Sequence, residues 1–150
     1  MRGLKNKIVI ITGGLGDLGY ATGVRMAEEG CKVVLLDIHP DNDNRAAAIG
    51  AYFWPVDISN ELVAEAACAT VEKEVGPAHI LINTAARFIF KGVEATAEEW
   101  REVNAVNIGG TSLMAKYIVP QIKKNGGGSI INFSSVSGFI GQSNFATYNA

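Results

Sequence analysis

The sequence predicts an α/β protein built on a doubly wound parallel sheet. Three observations predict it. Apolar runs of strand length alternate with amphipathic segments of helix length. The runs Ile8-Val9-Ile10-Ile11 and Val33-Val34-Leu35-Leu36 are continuous, as in strands covered on both faces. A glycine-rich turn, Gly13 to Gly19, joins the first run to the segment that follows it.

Each element has a local reason. Lys7 to Thr12 reads as the first strand. Asp17 to Glu29 reads as a helix with Leu18, Val24 and Ala27 on its apolar side, and Gly30 ends it. Asp17 is the candidate cap of that helix. Lys32 to Asp37 is the second strand, Asp43 to Ile49 a short helix, and Ala51 to Pro55 a third strand. Ser59 is the expected cap of a helix running to about Val75, with Glu61 and Glu65 in its first turns. His79 to Asn83 is a fourth strand. Thr96 caps the next segment ahead of Glu98 and Glu99, and a long helix fills much of Val103 to Lys124. Gly126-Gly127-Gly128 breaks it, and Ser129 to Ser134 is a fifth strand. Right-handed crossovers at each step give the strand order 3-2-1-4-5.

Composition narrows the function. The 150 residues are 48% apolar and 19% charged, which suits a globular domain with a buried sheet. A net charge of −2 supplies no field for nucleic acid or an anionic membrane surface. No apolar run reaches the ~18 residues of a membrane span. The basic start, Met1 to Lys7, runs into a strand and does not read as a signal peptide. Cys31 and Cys68 read as reduced thiols, which fits the cytoplasm. His39 and His79 lack metal-ligand spacing, so no metal is assigned. No G-x-S-x-G elbow is present for hydrolase chemistry.

The turn Thr12-Gly13-Gly14-Leu15-Gly16-Asp17-Leu18-Gly19 carries the first chemical signal. A dinucleotide pyrophosphate needs backbone N–H donors at a helix start and no side chain in the way. Gly13, Gly16 and Gly19 meet that need between a buried strand and a helix. Residues 1–150 therefore read as one dinucleotide-binding domain. Asp37 ends the second strand, where a carboxylate accepts the adenosine ribose hydroxyls and repels a 2′-phosphate. NAD is expected over NADP.

Downstream lie Ser134-Ser135-Val136-Ser137-Gly138 and Tyr148-Asn149-Ala150, with Tyr148 thirteen residues after Ser135. With the glycine-rich turn, this pattern resembles the short-chain dehydrogenase/reductase family, over the whole chain. The resemblance implies a Rossmann-type fold and an oxidoreductase that interconverts a secondary alcohol and a ketone with NAD. It implies Tyr148 as acid/base and cofactor contact, Ser135 as the group holding the substrate oxygen, and Asn107 as the helix asparagine of a proton relay. Asn104 and Ser134 are the competing asparagine and serine. It implies cofactor contacts from Thr12, Leu18, the pair Asp57-Ile58, and Asn83 and Ala85 of Asn83-Thr84-Ala85-Ala86. Thr84 and Ala86 depart from the family's Asn-Asn-Ala-Gly. The glycine spacing T-G-x-x-G-x-x-G departs from the compact branch's T-G-x-x-x-G-x-G and puts Asp17 beside the pyrophosphate site. It is more typical of the extended branch, which acts on sugar nucleotides.

A phenol is a poor base at neutral pH, because it ordinarily titrates near 10. The family lowers this with a lysine four residues past the tyrosine, on the same helix face. That lysine falls at position 152, past Ala150. The 150-residue chain is expected to have little or no dehydrogenase activity, and later strands of the family's sheet are expected to follow. A nucleotide-binding fragment or regulator without turnover is the alternative. The partners implied are a small-molecule alcohol or ketone and, by resemblance, further copies in a dimer or tetramer.

Overall fold

The computed structural model describes residues 3–150. Of the basic start, Met1 and Arg2 lie outside the described residues. Five strands are present: β1 (Ile8–Thr12), β2 (Lys32–Asp37), β3 (Tyr52–Pro55), β4 (Ile80–Asn83) and β5 (Ser129–Asn132). All adjacent pairs are parallel, in the order β3-β2-β1-β4-β5. The predicted order is the observed one.

Among the described residues, six α-helices connect and flank the sheet. They are α1 (Asp17–Glu28), α2 (Arg45–Ala48), α3 (Glu61–Glu74), α4 (Ala97–Asn104), α5 (Thr111–Lys124) and α6 (Ala146–Asn149). Successive strand side chains point to opposite faces, and this sorts the two apolar runs into two cores. Ile8, Ile10, Val34, Leu36 and Leu81 meet Ala64 and Val71 of α3 and Met114 and Ile118 of α5. Val9, Ile11, Val33, Leu35 and Ile82 form the other core, joined by Ala46 of α2 and by Tyr20 and Met26 of α1. Both cores are dry at β1 and β2, and burial of each such side chain stabilises by about 1.5–3 kcal/mol. At the far edge, β5 is exposed along its length, including Ile130 and Ile131.

Several local expectations change. Ser59 does not cap α3. Its N–H and hydroxyl both donate to Asp57 Oδ1, at 2.9 and 2.7 Å, and Asn60 caps instead by accepting from Val63 N–H. Asp17 is the first helical residue and not the cap; Gly16 holds the cap position with no side-chain bond. Leu18 faces outward rather than into the core, and α1 packs through Gly19 and Gly23. The long helix begins at Ala97, where Thr96 and Glu99 form a capping box. It is interrupted by a π-helical stretch, Ala105–Gly110, before α5. Gly110 lets this stretch pass Ile58, whose side chain a Cβ there would meet at 2.7 Å. The fifth strand ends at Asn132, short of the expected Ser134.

His79 sits just before β4 and couples the sheet to pH. Its Nδ1 accepts from Ile8 N–H at 3.2 Å, so the neutral ring is the one that fits. Burial, then the Lys7 charge, hold its pKa below the usual 6.5. The folded state therefore binds fewer protons than the unfolded one. This contribution is present above the unfolded pKa and is lost as pH falls toward the folded pKa. Urea denaturation at pH 7 and pH 5 is expected to show a larger loss of stability in wild type than in His79→Gln. Equal losses would remove His79 from the account.

Candidate functional site

The site lies at the C-terminal ends of the strands, where a doubly wound sheet opens a crevice. Gly13 leaves β1 with φ of +64°, and a Cβ there would lie 2.7 Å from Ala85 Cα. Gly16 N–H donates to Gly13 carbonyl at 3.1 Å and closes the turn. Gly19 packs on that same carbonyl, which a Cβ would meet at 2.1 Å. Thr84, a departure from the family pattern, latches the turn: its hydroxyl donates to Thr12 carbonyl at 2.6 Å. The start of α1 thus faces the crevice without a side-chain cap, so its first N–H groups suit an anion.

One cavity of about 1220 Å³ collects almost every expected residue. Gly13, Gly16, Asp17, Leu18, Gly19, Asp37, Asp57, Ile58, Asn83 and Ala85 line it, together with Asn107, Ser135 and Tyr148. Thr12 is fully buried beneath the turn and stays off the lining. Its hydroxyl donates to Asn83 Oδ1 at 3.2 Å and accepts from Ala85 N–H at 3.4 Å. Asn83 in turn donates to Asn132 Oδ1 at 2.9 Å, so its amide stitches β1 to β4 and β5.

Asp37 is buried at the end of β2. Its carboxylate accepts Leu15 N–H and His39 N–H, both at 3.0 Å, which aims it at the turn. Arg45, not singled out from sequence, stands beside this end of the cavity. Its guanidinium lies 3.9 Å from the centre of the Tyr20 ring and donates to Leu15 carbonyl. Asp41 accepts Arg45 N–H and Ala46 N–H, both at 2.8 Å, and so anchors α2.

At the other end, Asn107 lies within the π-helical stretch. It accepts Arg87 N–H at 2.7 Å and donates to Arg87 carbonyl at 3.1 Å. The π turn widens the helix where this side chain leaves it, a placement frequent at functional sites. Asn104, the competitor, also lines the cavity. Arg87 is exposed at the surface, where it pairs with Glu102 at 2.8 Å. Ser135 begins the 3₁₀ turn Val136–Gly138, its hydroxyl accepting from Ser137 N–H at 3.1 Å. Tyr148, on α6, packs against Phe88 with ring centres 4.6 Å apart. Asn149 beside it donates to Ser137 and Ile140 carbonyls at 2.6 and 2.9 Å, tying the Tyr148 helix to the Ser135 turn. No sequence pattern announced that tie.

Cys31 and Cys68 are free, and burial pushes the Cys68 thiol up to about 12. Among the described residues, no group of three or more His, Cys, Asp or Glu is placed to hold a metal. No described helix is long and apolar enough to cross a membrane.

A parallel sheet in this order, with a glycine-rich turn over a crevice, defines the doubly wound class of α/β fold. Residues 7–150 match the family model for short chain dehydrogenases, and the chain belongs to that family. It is 37% identical to an NADP-dependent (R)-specific alcohol dehydrogenase of Lentilactobacillus kefiri, over 98% of this chain and 61% of that protein. It is 35% identical to a 2,5-dichloro-2,5-cyclohexadiene-1,4-diol dehydrogenase of Sphingobium indicum, over 98% of this chain and 62% of that one. The chain thus spans about three fifths of the length of these relatives. The solved structure of an NAD⁺-bound xylitol dehydrogenase superposes with a TM-score of 0.90 at 26% identity, covering 98% of this chain and 60% of that one.

Proposed function

We propose that this chain carries the nucleotide site and three reacting-end residues of an NAD-dependent oxidoreductase acting on a secondary alcohol or its ketone. The observation that carries the reading is the single cavity shared by the Gly13–Gly19 turn, Asp37, and Asn107, Ser135 and Tyr148.

The residues fit a nicotinamide dinucleotide. The uncapped start of α1 offers N–H donors to the pyrophosphate, and Gly16 puts no side chain between them. Asp37 offers acceptors to the adenosine ribose and repels a 2′-phosphate. When bound, the nicotinamide ring supplies the hydride acceptor or donor. The chain's own part is proton handling and placement. Tyr148 Oη takes the hydroxyl proton during oxidation and returns it during reduction. Ser135 Oγ holds the reacting oxygen beside it. Asn107 keeps the wall at Arg87 in place through its paired bonds to the backbone there.

Calorimetric titration with NAD and NADP tests this. NAD is expected to bind at least about tenfold more tightly, since like charges a few ångströms apart cost about 1–4 kcal/mol. Asp37→Asn removes the charge but keeps an acceptor for Leu15, and is expected to erase most of that preference. An unchanged ratio in the variant would reject Asp37 as the discriminating group. Binding of neither nucleotide would reject the oxidoreductase reading.

A further inference from the structure

The reacting end of the cavity is walled differently from the nucleotide end. The carboxylates Asp17, Asp37, Asp41, Asp43 and Asp57 all sit at the ends of β1, β2 and β3. Around Tyr148 the wall is aromatic. Phe88 lies 4.6 Å from the Tyr148 ring and 6.2 Å from the Phe90 ring; Phe145 lies 5.0 Å from Phe90 and 6.4 Å from Tyr148. These contacts close into a circuit joining the segment after β4 to α6. Phe88 is nevertheless 43% exposed and lines the cavity, so one part of its ring is free to meet a ligand. Phe133, 49% exposed, lines it from the β5 side.

Several polar groups at this end are already engaged. Both ends of the Asn107 amide are committed to Arg87, and Arg87 pairs with Glu102. Asn149 is committed to Ser137, Ile140 and Gln142. The hydroxyls of Ser134, Ser135 and Tyr148 and the amide of Asn104 line the cavity and remain to face a substrate. They serve the reacting oxygen, and the rest of a substrate would face the Phe88 and Phe133 wall. A polyol would lose water from further hydroxyls without gaining partners, and an anion would meet no cation free of a counter-charge.

We infer that Phe88 is a specificity-determining residue that seats a cyclic apolar group of a neutral secondary alcohol or ketone beside Tyr148. This rests on the oxidoreductase reading above. The apolar body of the substrate packs on Phe88, which presents its carbinol carbon to Ser135 and Tyr148. Aromatic contact of this kind carries orientation as well as area.

Saturation-transfer NMR and competition titrations on this chain with saturating NADH test the assignment. The probes are 1-indanol, mandelate and inositol: neutral apolar, charged apolar and neutral polyol. 1-Indanol is expected to bind at least tenfold more tightly than either other probe. Phe88→Ala is expected to weaken it about tenfold, on the order of one lost aromatic contact. Phe88→Leu keeps an apolar wall and should recover part of that loss, with NADH affinity unchanged in both variants. A thermal melt confirms that each variant is folded, and the preference among probes in wild type needs no variant. Equal binding of the three probes, binding of none of them beside bound NADH, or indifference of 1-indanol to both substitutions overturns the inference alone. Failure of NADH itself to bind overturns it together with the oxidoreductase reading.

Discussion

Gly19→Ala is expected to destabilise the protein by about 3 kcal/mol or more and to abolish nucleotide binding. The new methyl carbon would lie 2.1 Å from Gly13 carbonyl and 2.7 Å from the Thr84 hydroxyl. Neither atom can retreat cheaply. The carbonyl belongs to a turn that already has φ of +64°, and Thr84 is bonded to Thr12. Overpacking a well-filled site costs about 1–3 kcal/mol, and more where backbone must move. Gly16→Ala is the informative comparison, because its Cβ meets only Gly13 carbonyl, at 3.3 Å. That variant should remain folded while its NAD affinity falls. Urea denaturation and calorimetry on both proteins separate the two effects. Wild-type stability in Gly19→Ala would mean that the turn relaxes far more than its contacts suggest.

In a longer chain that supplies the lysine expected at position 152, Tyr148→Phe is expected to lower alcohol turnover by about 10²–10⁴, the usual range for removing one positioned acid/base group. The substitution removes a single oxygen and keeps the ring that packs on Phe88, so folding and nucleotide affinity should stay within twofold. Turnover followed by nicotinamide absorbance, beside an NAD titration, checks both halves. Undiminished turnover would move the proton-handling role to another residue. Nucleotide binding with no turnover in that longer chain would favour a binding protein over an enzyme.

The parts legible in the sequence are those set by short-range pattern. Continuous apolar runs at Ile8–Ile11 and Val33–Leu36 announce strands covered on both faces, and right-handed crossovers then leave one sheet order. The glycines announce the turn, and Asp37 stands where β2 ends. What stayed hidden depends on partners far along the chain. The π-helical stretch at Ala105–Gly110 coincides with Asn107 reaching Arg87, twenty residues away. Ser59 satisfies the ordinary preference for a capping residue, yet Asp57 claims its hydroxyl and the cap passes to Asn60. Asp17 follows Gly16 closely enough to suggest a cap but enters the helix itself. Leu18 fits an apolar helix period and faces the crevice instead. Asn83 lines the crevice, and its amide also bonds Thr12 and Asn132, a second role that its place in the sequence does not announce. Propensity and spacing supply candidates at such positions, and tertiary contacts choose among them.

Synthesis proceeds from the N-terminus, so the first of these five strands to leave the ribosome is the one that ends between the other four. β1 can pair early with β2, but its other neighbour, β4, comes about seventy residues later; the Thr12–Asn83 bond spans 71. The pieces that lock the glycine turn, Thr84 and Ala85, follow at once. Closing so long a loop is entropically uphill until the pairing forms, which makes such topologies slow to nucleate. The nucleotide cradle therefore matures after the fourth strand has docked, although its own residues are among the earliest translated. A ligand of that cradle would act as a clamp on a sheet whose fourth strand has already docked, raising its stability by mass action without seeding its assembly.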